Sequence, residues 1–361
     1  MIPPATSPAP RAGIKRVFIV GCRRSGTTWT MLLLGQHPRV VALQQIDFFR
    51  RLAHFGRWFG AREDYGTCAL SANVRPGLPG KTTEDGLTRV KIPDALTPAR
   101  YLEIVRPLAE SVYDELGAIN PEALAVVEQT PEYVQVWEEI LRVFPDAWFL
   151  HVVRDPRSVF CSHRSAAKSW ADPTRFSHDP LSVGEEWVAD VSRARQIAAA
   201  TPRYHEVHYE ALRREPVKGL AAILRWLELP ADPESCERAV AACSLEKLRQ
   251  GDHAPKGFFR KGEVSGWKAE MRPGEIRALE FVAGDLMREL GYEPATPPGA
   301  PAPLSVRWRR AKVELGARFR RWAWESKSPL RAGAARALKS VPFVRKVLLR
   351  RVARPDSRKA A

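Results

Sequence analysis

The sequence predicts an α/β protein, a parallel sheet flanked by helices, that is followed by a basic helical extension. Three observations carry this prediction. Short apolar segments alternate with helical patterns of ten or more residues, which is typical of parallel sheets. A glycine-rich loop directly follows the first apolar segment. The positive charge lies almost wholly at the end of the chain, since residues 296–361 hold 18 Lys+Arg against 3 Asp+Glu.

The elements and boundaries are predicted in the following order. We expect residues 1–14, rich in Pro and Ala, to be disordered, 15–294 to form the main domain, 295–303 to be a Pro-rich linker and 304–361 to be a helical tail. Apolar runs predict strands at 17–20, 147–153 and 204–209. Residues 60–100 show little periodicity and predict irregular loops. Helical spacing predicts helices at 29–34, 98–116, 131–144, 156–169, 182–200, 215–228, 233–249 and 275–290.

Composition excludes several classes of protein. No stretch approaches 18 consecutive apolar residues, so no transmembrane helix is expected. Prolines near the N-terminus argue against a signal peptide. Five scattered cysteines favour reduced thiols. We therefore expect a cytoplasmic protein. Outside the tail the charges nearly balance, 39 Lys+Arg against 38 Asp+Glu, and no nucleic-acid partner is expected.

The most informative segment is the loop in FIVGCRRSGTTW, which runs from a strand into a helix. Gly21 and Gly26 are spaced as in a loop whose backbone N–H groups cradle a phosphate. An ATP-binding loop of this type would place Lys directly after the second glycine, where this chain has Thr27. A cation, Arg24, precedes Ser25 instead. The loop is therefore predicted to bind phosphate, but not as ATP with Mg²⁺.

The segment RRSGTTW resembles the 5′-phosphosulfate loop of sulfotransferases that use 3′-phosphoadenylyl sulfate (PAPS), above all members that modify glycans and protein tyrosines. The resemblance extends over about residues 15–293. It implies a P-loop-like domain, PAPS as co-substrate and no metal. Arg24 would stabilise the leaving phosphate. The nucleotide-binding residues implied in the loop are Arg23, Arg24, Ser25, Gly26, Thr27, Thr28 and Trp29. Trp29 would lie against the adenine, although packing in the helix core accounts for it about equally well.

Two further segments match the family. Arg154 follows an apolar strand and Ser162 lies eight residues later, a pair that the resemblance assigns to the 3′-phosphate. Taken alone, Arg154-Asp155-Pro156 also fits a helix-capping ion pair, which is the lesser alternative. A late segment, FRKGEVSGWK, resembles the family loop that closes over the nucleotide and assigns Arg260, Lys261 and Gly262 to the same phosphate. Tyr209, in EVHYEAL, resembles a tyrosine near the adenine.

The general base is where the sequence departs from the family. Relatives place a Glu three residues before a Phe-Phe pair, where this chain has Gln45, and the family segment Glu-Lys-Thr-Pro appears with Gln129 in place of Lys. A neutral amide cannot act as a base. Asp47 and Glu128 are the two candidates, although an ordinary ion pair or a helix cap also accounts for Glu128.

The tail predicts basic amphipathic helices. One face is formed by Leu304, Trp308, Ala311, Leu315, Phe319 and Trp322, and arginines cover much of the rest. This pattern favours binding of residues 304–353 to an anionic membrane surface, at the inner face of the membrane. Packing on the main domain or on a partner chain is the alternative.

The sequence therefore predicts a sulfotransferase that moves the sulfuryl group from PAPS to a hydroxyl or amine of an acceptor, with a glycan or glycolipid as the candidate class. A nucleotide-binding adaptor without catalysis is the first alternative, favoured by Gln45 and Gln129. A P-loop nucleotide kinase is the weaker one, because the lysine is absent. The acceptor itself and the oligomeric state are not predicted.

Overall fold

A computed structural model of the chain describes residues 13–56, 67–71, 81–82, 87–91, 98–169, 176–250, 264–304 and 306. The chain divides into two units, Met1–Pro297 and Pro298–Ala361, and every element below belongs to the first. The strands are β1 (Lys15–Val20), β2 (Val40–Gln44), β3 (Thr67–Ser71), β4 (Lys81–Thr82), β5 (Leu87–Lys91), β6 (Ala125–Gln129), β7 (Trp148–Val153) and β8 (Tyr204–His208).

The helices carry the remaining regular structure of the described residues. They are α1 (Thr27–Leu34), α2 (Phe48–Gly56), α3 (Pro98–Ala118), α4 (Trp137–Val143), α5 (Pro156–Ser169), α6 (Pro180–Ala200), α7 (Tyr209–Arg214), α8 (Pro216–Trp226), α9 (Pro233–Ala242), α10 (Leu245–Gln250), α11 (Trp267–Glu270) and α12 (Pro273–Glu289). A 3₁₀ helix, Pro131–Gln135, precedes α4.

Five strands form a parallel sheet in the order β2-β6-β1-β7-β8. Its central strand β1 is apolar on both faces because helices cover both. Val17 and Ile19 pack in a core with α1 and α8, while Phe18 and Val20 pack in a core with α3 and α4. The predicted parallel α/β sheet with flanking helices is confirmed.

Several local predictions need correction. The segment 60–100, predicted to be irregular, contains β3, β4 and β5, which form a small antiparallel sheet in the order β3-β5-β4. The helix predicted at 131–144 begins as the 3₁₀ helix and becomes α-helical only from Trp137. The helix predicted at 233–249 is interrupted after Ala242. Apart from positions 304 and 306, which are helical, the predicted tail helices lie outside the described residues.

Candidate nucleotide-binding site

The sheet brings the predicted site residues to one edge. In a parallel sheet all carboxyl ends meet at the same edge, which is where ligands of open α/β folds bind. The glycine loop follows β1, Gln129 ends β6, Arg154 follows β7 and Tyr209 follows β8. Four segments that are distant in sequence therefore meet around the start of α1.

The loop has the backbone of a phosphate cradle. Gly26 caps α1 with φ 95° and no side-chain hydrogen bond, which leaves the first N–H groups of the helix to a ligand. A Cβ on Gly26 would lie 2.3 Å from the ring of Tyr209, and one on Gly21 would lie 2.6 Å from the carbonyl oxygen of Val152. Both glycines are thus required by close packing as well as by their positive φ. Arg24 is also left-handed, with φ 69°.

Three hydroxyls line the loop. Ser25 is 1% exposed, and its Oγ has no hydrogen-bond partner among the described residues. Thr27 Oγ1 accepts a hydrogen bond from Gln129 Nε2 at 3.0 Å. Thr28 Oγ1 donates to Gln129 Oε1 at 3.4 Å. A buried hydroxyl without a partner is uncommon in native proteins, so Ser25 marks the position that a bound anion would fill.

Two cations lie at the loop, Arg24 within it and Arg154 directly after β7. Arg24 Nε donates to Ser162 Oγ on α5 at 3.1 Å. Arg154 Nη1 donates to the carbonyl oxygen of Arg24 at 3.2 Å, and its guanidinium lies 4.3 Å from the centre of the Tyr209 ring. The structure thus assembles Arg24, Arg154 and Ser162, which the sequence separates by up to 138 positions.

Asp155 does not neutralise Arg154. It instead forms an ion pair with Arg157, whose Nη2 lies 2.7 Å from Asp155 Oδ2, and it caps the Arg157 backbone N–H at 2.8 Å. Arg157 also pairs with Glu280 at 2.9 Å and lies 3.7 Å from the centre of the Trp267 ring. Among the described residues no carboxylate lies within ion-pair distance of Arg154. A capping ion pair does form in this segment, but it joins Asp155 to Arg157 and does not include Arg154.

The predicted adenine residues are buried. Trp29 is 5% exposed, and its indole N–H donates to the carbonyl of Cys243 at 3.1 Å. The Tyr209 ring meets it edge-on at 5.8 Å between centroids. On the Trp29 ring lies Arg213, whose guanidinium is 4.7 Å from the ring centre. Arg213 was not predicted.

The Arg23 side chain forms ion pairs with acidic residues of α6 and of the 3₁₀ helix. Its guanidinium pairs with Glu186 of α6 at 2.7 Å and lies 4.0 Å from Glu132. The same acidic cluster includes Asp190, whose pKa is raised to about 7 by burial and by Glu186. The Cys22 thiol lies against it and has its pKa raised, chiefly by burial. These ion pairs anchor the Arg23 side chain, and with it the loop, to α6 and the 3₁₀ helix.

One metal-like constellation occurs in the described part of the chain. Ligand atoms of Cys22, Glu186 and Asp190 lie within 4.8 Å of one another. Arg23 supplies the counter-charge to Glu186 there, so an ion pair already accounts for the acidic groups. The expectation that the site needs no metal stays a prediction.

The two candidate bases differ in environment. Glu128 is fully buried, and its carboxylate accepts hydrogen bonds from Tyr113, from Tyr133 at 2.8 Å and from Thr130 at 2.9 Å. Burial raises its pKa, against these donors and the backbone N–H of Asp47. Asp47 is 29% exposed and lies 3.1 Å from Arg50. Of the two, solvent reaches Asp47.

The segment that carries Asp47 has unusual backbone geometry. Gln45 and Asp47 both have positive φ, 50° and 61°, and the Gln45 N–H donates to the carbonyl of Gln129. Left-handed residues other than glycine are strained and cluster at functional sites. The strand-to-helix connection between β2 and α2 is therefore held in a specific conformation at the active edge.

His163 was missed by sequence reasoning. It follows Ser162 on α5, is fully buried and meets Phe176 edge-on at 5.6 Å. Burial, with Arg23 and Arg24, lowers its pKa to about 3, so the imidazole is neutral beside the loop. A single His without a recognisable spacing gave no signal.

The third predicted anchor, Arg260, Lys261 and Gly262, lies outside the described residues. The segment that follows it is described. Val264 accepts a hydrogen bond from Ser158 at 3.3 Å, and Trp267 packs on Arg157. The downstream end of the late motif is thus fixed on α5, close in sequence to Arg154.

A parallel α/β sheet with a glycine loop before its first helix, and with cations gathered at that loop, defines a phosphate-binding protein of the P-loop-like class. The sequence profile described as "Sulfotransferase family" matches residues 16–233. The chain therefore belongs to the sulfotransferase family, as its motifs predicted.

Individual relatives are distant. Nodulation protein NoeE of Sinorhizobium fredii is 24% identical over 301 residues, covering 76% of this chain and 65% of NoeE. Protein-tyrosine sulfotransferase 1 of Danio rerio is 24% identical over 297 residues, covering 80% of this chain and 76% of that protein. The solved sulfotransferase domain of the Synechococcus PCC 7002 olefin synthase is similar in fold, with TM-score 0.50, 17% identity and coverage of 78% and 96%. The chain spans less than two thirds of NoeE.

Proposed function

We propose that this protein transfers the sulfuryl group of PAPS to a hydroxyl or amine of an acceptor. The observation that carries the proposal is the placement of Arg154, unpaired with any described carboxylate, over a loop whose Ser25 hydroxyl is buried without a partner. A guanidinium and a hydroxyl of this kind suit a phosphate dianion. Membership of the sulfotransferase family supports the nucleotide.

The proposed roles divide the site in two. The loop from Ser25 to Thr28 would hold the 5′-phosphosulfate, with Arg24 offsetting the charge that grows on the leaving phosphate. Arg154 and Ser162 would hold the 3′-phosphate, together with Arg260, Lys261 and Gly262. Trp29 and Tyr209 would border the adenine. Since the Arg23 side chain pairs with Glu186, we propose that it acts by supporting the loop.

The reaction is an in-line displacement at sulfur. The acceptor oxygen or nitrogen forms a bond to sulfur while the bond from sulfur to the phosphate oxygen breaks, and 3′,5′-diphosphoadenosine (PAP) leaves. We propose that Asp47 takes the acceptor proton and that Glu128 fixes the Asp47 backbone through the N–H contact. A glycan or glycolipid is the first acceptor class to screen. A phenolic hydroxyl is the second, because one relative is named for protein tyrosine.

The first test is a thermal-shift titration of the full chain with PAP and with ADP, each with and without Mg²⁺. We expect stabilisation by PAP without Mg²⁺, and its loss in Arg154→Ala. Arg238→Ala, an exposed arginine paired with Glu234 on α9, is the matched control and should behave as wild type. Equal or greater stabilisation by ADP with Mg²⁺ would favour the nucleotide kinase instead.

A nucleotide-binding adaptor without catalysis is the second candidate. Gln45 and Gln129 favour it, since neither amide can supply the base or the cation that relatives carry at these positions. It shares PAP binding with the main proposal. Transfer of ³⁵S-sulfate from PAPS to any acceptor in a glycan, glycolipid and tyrosyl-peptide screen would eliminate it.

We also propose that residues 304–353 bring a cytoplasmic protein to the anionic inner face of the membrane. The alternation of apolar and arginine residues supports this, and in the described ranges no helix has the length and apolarity that a bilayer crossing requires. Deleting 304–361 should abolish co-sedimentation with anionic vesicles while PAP binding persists. Undiminished sedimentation would mean that the tail packs elsewhere.

A further inference from the structure

Gln129 contacts the phosphate loop at a position where the related Glu-Lys-Thr-Pro segment of the family has a lysine. It is the last residue of β6, is 1% exposed and pairs in register with Ile19 of β1. From this position its amide reaches the first two residues of α1. Nε2 donates to Thr27 Oγ1 at 3.0 Å, and Oε1 accepts from Thr28 Oγ1 at 3.4 Å.

The contact with Gln129 makes the Thr27 hydroxyl a hydrogen-bond acceptor and the Thr28 hydroxyl a donor. A hydroxyl has one hydrogen to donate, whereas an amide can both donate and accept. The Thr28 hydroxyl donates its hydrogen to Gln129, so it can only accept hydrogen bonds from a ligand. Thr27 accepts from Gln129, so its own hydrogen remains for another acceptor. A phosphosulfate group presents acceptor oxygens, and of the two threonine hydroxyls only that of Thr27 has its hydrogen available to them.

A lysine at this position would act differently. An ammonium group has three donors and no acceptor, so both threonines would accept from it and both would keep their hydrogens. Its charge would also be buried at the loop whenever no anion is bound, which is unfavourable. The neutral amide avoids this charge, but it supplies no cation near the sulfuryl group.

We propose that Gln129 is a positioning residue that selects Thr27, and not Thr28, as the hydroxyl donor to the nucleotide. This inference rests on the proposed function for its ligand. It assigns no chemistry to Gln129 itself, which acts through the threonines.

The experiment is a set of double-mutant cycles with PAP affinity measured by calorimetry on the full chain. Gln129→Met keeps the length of the side chain and removes the amide, and Thr→Val removes each hydroxyl at constant shape. We expect Gln129→Met and Thr27→Val each to weaken PAP about tenfold, the worth of one hydrogen bond to a charged group. Thr28→Val keeps the backbone N–H by which Thr28 would hold the nucleotide and removes only the hydroxyl that donates to Gln129, so it should change the affinity less than about twofold. Gln196→Met, an exposed glutamine on α6, is the control and should match wild type.

The double variant decides whether Gln129 acts through Thr27. If it does, Gln129→Met combined with Thr27→Val binds PAP about as well as Thr27→Val alone. Multiplication of the two losses, to about a hundredfold, would overturn the proposal, as would a Thr28→Val loss equal to that of Thr27→Val.

A second readout keeps this inference separate from the proposed function. Without any ligand, Gln129→Met should lower the melting temperature, and adding Thr28→Val to it should lower it no further, because the shared hydrogen bond is already gone. If wild type binds no PAP, the proposed function is wrong, but the melting temperatures still test whether the hydrogen bonds of Gln129 hold the two threonines. If wild type binds PAP and the losses of stability are additive, the positioning role of Gln129 is wrong.

Discussion

Asp190 makes the stability of the protein depend on pH in a way that one substitution should remove. It lies on α6, 4% exposed, beside Glu186 and Cys22, and Gln135 donates to it. Burial and the neighbouring Glu186 raise its pKa from an ordinary 3.8 to about 7. Its proton therefore stays on in the folded protein at a pH where the unfolded chain has lost it.

The magnitude follows from the shift. Between pH 4 and 7 the folded state binds one more proton than the unfolded state, so the free energy of unfolding falls by about 1.4 kcal/mol per pH unit. Over the interval from 3.8 to about 7 this amounts to about 4 kcal/mol. Asp190→Asn resembles the protonated side chain at every pH. It should equal wild type near pH 4 and exceed it by up to that amount above pH 7.

The assay is thermal unfolding of both proteins from pH 4.5 to 8 at constant ionic strength. A difference of about 4 kcal/mol corresponds to a melting temperature of roughly 10 °C more for the variant at pH 8. Asp285→Asn, whose side chain is 95% exposed on α12, should leave the pH profile unchanged. Parallel wild-type and Asp190→Asn profiles across this range would refute the reasoning, because Asp190 would then be ionised in the folded protein.

Two further predictions concern the site. Asp47→Asn should abolish sulfuryl transfer and leave PAP affinity unchanged. Glu128→Gln should mainly lower the melting temperature, because the buried Glu128 carboxylate accepts hydrogen bonds from three hydroxyls. Full turnover in both variants would exclude both residues as the general base. Gly26→Ala should lower stability by about 1–3 kcal/mol and weaken PAP, because its Cβ would lie 2.3 Å from the Tyr209 ring and its φ is 95°. Gly274→Ala, which meets no atom within 4 Å near the start of α12, should be neutral by both measures, and equal losses in the two would contradict the packing argument.

The sequence predicted those parts of the fold whose signals are local. The strand Val17–Val20, the glycine loop and the following helix occupy consecutive residues, and so do Val153 and the start of α5. Strand β2 was not predicted and β6 was expected only as a strand that ends near Glu128, because five-residue apolar runs cannot be told from other buried segments by periodicity. The small antiparallel sheet escaped for a similar reason, since its strands lie among Gly, Pro and Thr.

The site was predictable only as far as its parts are motifs. Arg154 was identified from its place after a strand, but the partner of Asp155 was not, because Arg157 becomes its neighbour only once α5 forms. The contact of Gln129 with Thr27 joins residues 102 positions apart. From the sequence Gln129 was a missing lysine, and the hydrogen bonds it makes to the loop depend on the register of β6 beside β1.

The residues that follow α12 stabilise the segments that carry the candidate nucleotide site. Tyr292 donates to Glu210, which accepts the N–H of Asp155, and Glu280 accepts from both Ala295 and Thr296 while it binds Arg157. Through Glu210 of α7 and Glu280 of α12, residues 292–296 are thus linked to the carboxyl end of β7 and the start of α5. A shortened version of the chain that stops at Glu289, where α12 ends, would lose these hydrogen bonds. The segment that carries Arg154 would then be held less rigidly. The smallest independently folding piece should therefore extend past Thr296.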